Sequence, residues 1–272
     1  MPHPVANEKA SLVGAFFVFC AGMLVSTCTL ASTVGAASSC APDRIDAKVH
    51  VAKVIDGDTV VLSDGKHVRL IGVDTPELAH KGAPAQPFGA DARDHLRQLL
   101  VQQQNTLNLR YDMERRDHYG RVLAHAFLAD GSSVEARLQT EGLGTVLVVP
   151  PNDWNSACYQ NAEQQARQAR RGIWALPAYQ VIESTQLAPT ARDFHLVAGR
   201  VRHIGKSRHA LWLNLEGGVV LRIDRKDLVY FRTYAPHDLV GKRIQARGWL
   251  HRDNGELRMK IRHPAALQVL KP

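Results

Sequence analysis

The strongest constraint on this chain is a set of short alternating segments, broken by tight-turn signals, between residues 49 and 71. Residues 49–55 alternate as a half-buried strand does. Asp56-Gly57-Asp58 is a turn signal, and the alternation resumes over 59–62. Ser63-Asp64-Gly65 turns the chain again into residues 67–71. Three strands in a meander begin a barrel or a sandwich. Asp74-Thr75-Pro76-Glu77 then breaks the pattern, because Pro76 cannot continue a central strand. Residues 79–88, with Gly82, Pro84 and Pro87, read as an exposed loop, and 90–102 as a helix carrying Ala92, Leu96 and Leu99 or Leu100 on one face.

The pattern then predicts strands at 106–111 and 122–128, a helix over 133–141 and a brief strand at 145–149. A helix capped by Asn152 or Asp153 follows, running to about Arg170. Residues 180–192 are polar and read as a linker. From His195 every segment alternates: 195–203, 210–215, 219–223, 242–250 and 256–262, with turns at Gly217-Gly218 and Asn254-Gly255. Five such strands suggest a small all-β barrel of the OB type. The expected division is a targeting segment at 1–39, a first domain at 40–178, a linker at 179–194 and an OB-like barrel at 195–272.

From Ser11 to Cys40 the cysteines are the only ionisable side chains, and the apolar run from Leu12 gives way to small residues near Ala36. Charge, apolar core and small residues in that order make a secretory signal, which implies a periplasmic or secreted protein. An uncleaved anchor is the alternative, since the stretch is long enough to span a bilayer. After cleavage only Cys40 and Cys158 remain of the four cysteines. An even count in an oxidising compartment suggests a disulfide, and two unrelated thiols are the other reading. The formal net charge of +8 fits nucleic acid or another anionic partner, and equally a basic solvated surface. With 45% hydrophobic and 22% charged residues the chain is not a disordered polyelectrolyte. Its thirteen histidines are scattered without zinc-ligand spacing and read as surface residues.

Three clusters carry chemistry. Asp56, Asp58, Asp74 and Glu77 place carboxylates on turns, Arg69 lies on the strand leading to Asp74, and Arg121 follows the turn at Tyr119-Gly120. Loop-borne acids suit a hard cation with a flexible oxygen shell. Arginine forks suit the charge of a phosphoryl transition state. The strings Val54-Ile-Asp-Gly-Asp-Thr-Val60, Val68-Arg-Leu-Ile-Gly-Val-Asp-Thr-Pro-Glu77, Asp117-His-Tyr-Gly-Arg121 and Gly172-Ile-Trp174 together resemble the staphylococcal nuclease (thermonuclease) family over about residues 47–175.

That resemblance implies a mainly β fold with helices: a five-stranded OB-type barrel plus three helices, here followed by the second barrel. It implies Ca²⁺-dependent cleavage of DNA and/or RNA. Asp58, Asp74 and the Thr75 carbonyl would hold Ca²⁺, with Asp56 behind them. Glu77 would position or deprotonate the attacking water, Arg69 and Arg121 would hold the phosphate, and Tyr119 would lie near the nucleotide. The chain departs from the family where tyrosines are expected: Thr145-Val-Leu-Val-Val-Pro-Pro151 has no aromatic residue, and the loop after the third strand has Lys81 as its only lysine. The alternative function is a non-catalytic nucleic-acid- or protein-binding module of the cell envelope. The presence of all five of Asp58, Asp74, Glu77, Arg69 and Arg121 favours the enzyme.

Alternation in the second barrel sends Leu211, Leu213 and Leu215 inward. It leaves Trp212, Arg247 and Trp249 on an outer face with Arg222, Arg258, Lys260 and Arg262. Aromatic platforms among cations hold single-stranded nucleic acid in such barrels. The competing reading packs the tryptophans against the first domain.

Overall fold

The computed structural model describes residues 40–80, 82–232 and 235–271. The targeting segment expected at 1–39 lies outside the described residues, as does Lys81. Among the described residues no helix is long and apolar enough to cross a membrane.

The first half comprises β1 (Ala47–Val54), β2 (Thr59–Leu62), β3 (His67–Leu70), β4 (Gly72–Asp74), α1 (Gly89–Val101), β5 (Thr106–Arg116), β6 (Val122–Phe127), α2 (Val134–Thr140), β7 (Thr145–Leu147) and α3 (Ser156–Gln168). The second comprises β8 (Val181–Glu183), β9 (Asp193–Lys206), β10 (Ala210–Leu215), β11 (Val219–Asp224), β12 (Arg243–Asp253), β13 (Glu256–Lys260) and β14 (Leu267–Val269).

Strands β1-β2-β3-β6-β5 close a barrel in that order, with β3 and β6 parallel and the other pairs antiparallel. The second half closes the same circuit as β9-β10-β11-β13-β12, its β11 and β13 parallel and β12 pairing back onto β9. The chain is therefore two OB-type barrels in tandem. Both rings close on themselves, and in the second β9 and β12 also pair outside the ring with β8 and β14.

The cores follow the expected alternation. Val51, Val60, Val68, Leu107 and Leu109 fill the first barrel, and α1 closes it with Ala92, Leu96, Leu99 and Leu100. Each leucine so removed from water contributes about 1.5–3 kcal/mol. In the second barrel Leu211, Leu213, Leu221, Ile223, Ile244 and Met259 point inward. Strand β6 departs from alternation: all six of its residues are buried, because the barrel lies on one side and the α2–α3 layer on the other. His125 of β6, for example, meets the Tyr159 hydroxyl of α3 at 2.9 Å.

Three local expectations are corrected. The helix after Pro151 starts at Ser156, with Asn155 left-handed at its cap, rather than at Asn152 or Asp153. The strand at 145–149 is shorter, ending at Leu147. The segment 179–194 is not only a linker, since β8 pairs in parallel with β9 and extends the second sheet. Cys40 and Cys158 form a disulfide spanning 118 residues, which ties the start of the described chain to α3.

Candidate active site

The turn between β1 and β2 brings Asp58 inward. Its own N–H donates to Asp56 Oδ1 at 3.1 Å. Gly57 is required in this turn, because a Cβ there would stand 2.7 Å from that of Ala92 and 2.8 Å from the Thr75 side chain. The buried Asp58 carboxylate accepts the Thr75 N–H at 2.8 Å and the Thr75 hydroxyl at 2.9 Å. Two motifs 17 residues apart are thus clasped together.

Arg69, on β3, lies between the acids. Its guanidinium meets Asp58 Oδ2 at 2.8 Å and Asp74 Oδ1 at 2.9 Å, and donates to the carbonyls of Leu70 and Val73 at 2.9 and 3.1 Å. Asp74 ends β4, which pairs with β7 so that Asp74 faces Thr145 and Val73 faces Val146. Burial pushes the Asp74 carboxyl up to about 7 despite the opposing pull of Arg69, and Asp58, Glu77 and Asp56 add to the rise. Asp56 is raised as well, by burial and then by Asp58. Two carboxylates contact this guanidinium and those of Glu77 and Asp56 add to the local negative charge, a surplus that a cation would offset.

Glu77 stands exposed at the rim. Its N–H donates to Gln86 Oε1 at 3.0 Å and its carbonyl accepts the Gln86 N–H at 2.9 Å. Gly89 admits this backbone against the start of α1, where a Cβ would come within 2.8 Å of the Glu77 carbonyl. Among the described residues none bonds the Glu77 carboxylate, which leaves it available as a base.

Arg121 is held by Asp117, its Nε donating at 2.7 Å and its N–H at 2.9 Å. Tyr119 of the same turn is exposed, with the Arg121 guanidinium 5.6 Å from its ring centre. Arg69 and Arg121 line one cleft of about 430 Å³ together with His118 and Arg262. Asp74, Thr75 and Glu77 line a second of about 130 Å³. A third, of about 270 Å³, shares Thr145 and Trp249 with the acidic cleft and Leu147 and Arg262 with the arginine cleft. The three form one groove beside β7.

The residues expected from the sequence therefore gather, with exceptions. Asp58, Asp74, Thr75 and Arg69 are in direct contact, Glu77 shares the cleft of Asp74 and Thr75, and Arg121 joins Arg69. Trp249 is in the groove. Arg247 lines the third cleft but is not on an open face: its guanidinium is turned into the first domain, to Glu163 at 2.5 and 2.7 Å and the Val146 carbonyl at 2.6 Å. Trp212 does not line the groove. Its ring lies 5.3 and 4.9 Å from the guanidinium carbons of Arg222 and Arg258, whose charges are met by Asp224 and by Glu256 with Asp253. The expected cationic face is a set of ion pairs. Tyr179 and Phe194, which no motif or periodicity marked as functional, line the groove, as does Arg262 of the outer face read from alternation.

Among the described residues no three His, Cys, Asp or Glu side chains converge as a metal cage. A cation among Asp58 and Asp74 would draw its remaining ligands from backbone oxygen and water, all hard donors of the kind Ca²⁺ takes.

A family model described as staphylococcal nuclease homologue matches residues 67–176. The chain is 39% identical to a thermonuclease of Staphylococcus intermedius over 127 residues, 46% of this chain and 74% of that one. It is 38% identical to a thermonuclease of Staphylococcus hyicus over 128 residues, again 46% and 74%. It is 38% identical over 136 residues to Endonuclease YncB of Bacillus subtilis, covering 48% of this chain and 63% of that protein. The second barrel lies beyond the family-model match.

Proposed function

The chain belongs to the staphylococcal nuclease family, and on that premise we propose that it is an exported, Ca²⁺-dependent enzyme cleaving the phosphodiester bonds of DNA and/or RNA. It is a nuclease, a phosphodiester hydrolase. The observation that carries the finer reading is the clasp of Asp58, Asp74 and Arg69, with Glu77 unbonded at the rim and Arg121 in the same groove.

Asp58, Asp74 and the Thr75 carbonyl would hold the cation, whose contribution is to polarise a phosphoryl oxygen. The raised Asp74 and Asp56 carboxyls fit that assignment, since burial, and then the neighbouring acids, disfavour each as an anion. Glu77 takes the proton of the attacking water; no nucleophilic side chain and no covalent intermediate are needed. Arg69 and Arg121 meet the charge that develops on the phosphoryl oxygens. Both are preorganised, Arg69 by two acids and two carbonyls and Arg121 by Asp117, so little reorganisation is required when that charge appears. Tyr119 flanks Arg121 and contacts the nucleotide.

Export rests on the uncharged apolar N-terminal run and on the Cys40–Cys158 disulfide, a bond that persists in oxidising compartments. The deciding experiment is digestion of labelled DNA and RNA with Ca²⁺ or with chelator. Cleavage that needs Ca²⁺ and is poorly restored by Mg²⁺ is expected, because Mg²⁺ demands a tighter octahedral shell. Full activity in chelator would exclude the mechanism.

A further inference from the structure

The acidic cleft has a wall that the first barrel does not supply. Opposite Asp74, Thr75 and Glu77 it is lined by Tyr179, Phe194 and Trp249. Phe194 is the second residue of β9, and Trp249 lies directly across from it on β12. Their rings meet edge to face, centres 5.4 Å apart, and Phe194 continues to Tyr179 at 5.7 Å. Trp249 nonetheless remains 47% exposed. A tryptophan braced on one side and open on the other contributes little to a core and presents a preorganised aromatic surface. Farther along the groove the second barrel also presents His251 and Arg262 opposite β7, the strand that lacks the aromatics expected there.

We propose that the second barrel completes the active site, with Trp249, braced by Phe194, as the platform on which a nucleobase next to the scissile phosphate stacks. The preferred substrate is then single-stranded nucleic acid or a frayed end, because a base must leave its own stack to lie on an aromatic ring. The inference rests on the nuclease reading of the first barrel for the position of that phosphate. Two further observations agree with it. Tyr179 and Asp74 line the same cleft, so the aromatic wall and the acids share one opening. Trp249 also lines both the acidic cleft and the adjoining one, so a strand following the groove from Glu77 passes it.

The test uses the full exported chain and a fluorogenic single-stranded oligodeoxynucleotide with one cleavable linkage. Trp249→Ala should raise KM about 5- to 150-fold, the equivalent of one base–aromatic stack of about 1–3 kcal/mol, while kcat changes far less, as expected for loss of uniform binding. Trp249→Phe should recover most of the loss, and Trp212→Ala should leave KM unchanged. On an oligonucleotide with abasic sites flanking the linkage, wild type and Trp249→Ala should become alike. An unchanged KM in Trp249→Ala, an equal rise in Trp212→Ala, or a penalty that persists on the abasic substrate overturns the proposal. Should the wild type itself fail to cleave, the nuclease reading falls separately, and Kd for the same oligonucleotide by fluorescence anisotropy still decides the platform. Equal Kd for wild type and Trp249→Ala overturns it, and a matching rise sustains it.

Discussion

Replacing Arg247 by alanine tests whether the docking of the second barrel supports the β4–β7 strand pair that carries Asp74. Glu163 on α3 is 3% exposed at its side chain and Arg247 10%. One carboxylate oxygen accepts from Arg247 at 2.5 Å. The other accepts from Arg247 at 2.7 Å and from the Val146 N–H at 2.6 Å, while Arg247 also donates to the Val146 carbonyl. Both backbone groups of Val146 are thus held by this ion pair, and Val146 pairs with Val73, next to Asp74. Removing one partner of a buried pair costs about 3–5 kcal/mol, chiefly because the other charge is left buried. The lower end applies here, since Arg167 already stands 3.9 Å from Glu163 and can move closer. At about 2–4 °C per kcal/mol for a chain approaching this size, Tm should fall by about 6–12 °C. Scanning calorimetry of Arg247→Ala, Glu163→Gln and the double variant measures the coupling. Arg247→Met combined with Glu163→Met should regain only part of the loss: neither charge then remains buried, but both backbone groups of Val146 lose these partners. A cost below about 1 kcal/mol for Arg247→Ala, far under the range for breaking a buried pair, or strictly additive single variants, would refute the argument.

Four other outcomes are expected. Glu77→Gln should lower kcat by about a hundred- to ten-thousand-fold, the usual range for a general base, with Tm unchanged because the side chain is exposed; an unaltered rate removes Glu77 from the mechanism. Arg121→Lys should depress cleavage severely, since an ammonium cannot reproduce the fork, and wild-type kinetics would contradict that role. Replacing Cys40 and Cys158 together by serine should cost up to about 4–5 kcal/mol for a closed loop of this length; identical melting of wild type and the serine pair would show the bond to be inert. The last outcome concerns pH in chelator. Asp74 has a folded pKa near 7, above its ordinary value of 3.8, so its carboxylate destabilises the fold above pH 7 and ceases to do so as pH falls toward 4. Asp74→Asn should therefore melt higher than wild type at pH 8, and the gain should shrink through pH 7 and vanish near pH 4; a variant no more stable at pH 8 would contradict it.

Much of the first barrel was legible because its signals are local. Asp-Gly turns, period-two alternation and the proline break each act over a few residues, and they place Asp58, Arg69 and Asp74 on adjoining strands and turns. The circuit of the second barrel was legible for the same reason. The short strands β8 and β14 were not, since three residues carry too little period to register and both form only by adding to an existing sheet edge. Alternation along β12 correctly separated Ile244, Ala246 and Leu250 from Arg247 and Trp249. It could not tell what that outer face would meet. Arg247 finds Glu163 84 residues away, and Trp249 faces Asp74 and Glu77 across a cleft. Which side of a strand points away from its own core is set by backbone geometry within a few residues. Whether that side meets water, an ion-pair partner or a catalytic groove is set by how two separately closed barrels pack together, and that depends on contacts between residues far apart in the chain.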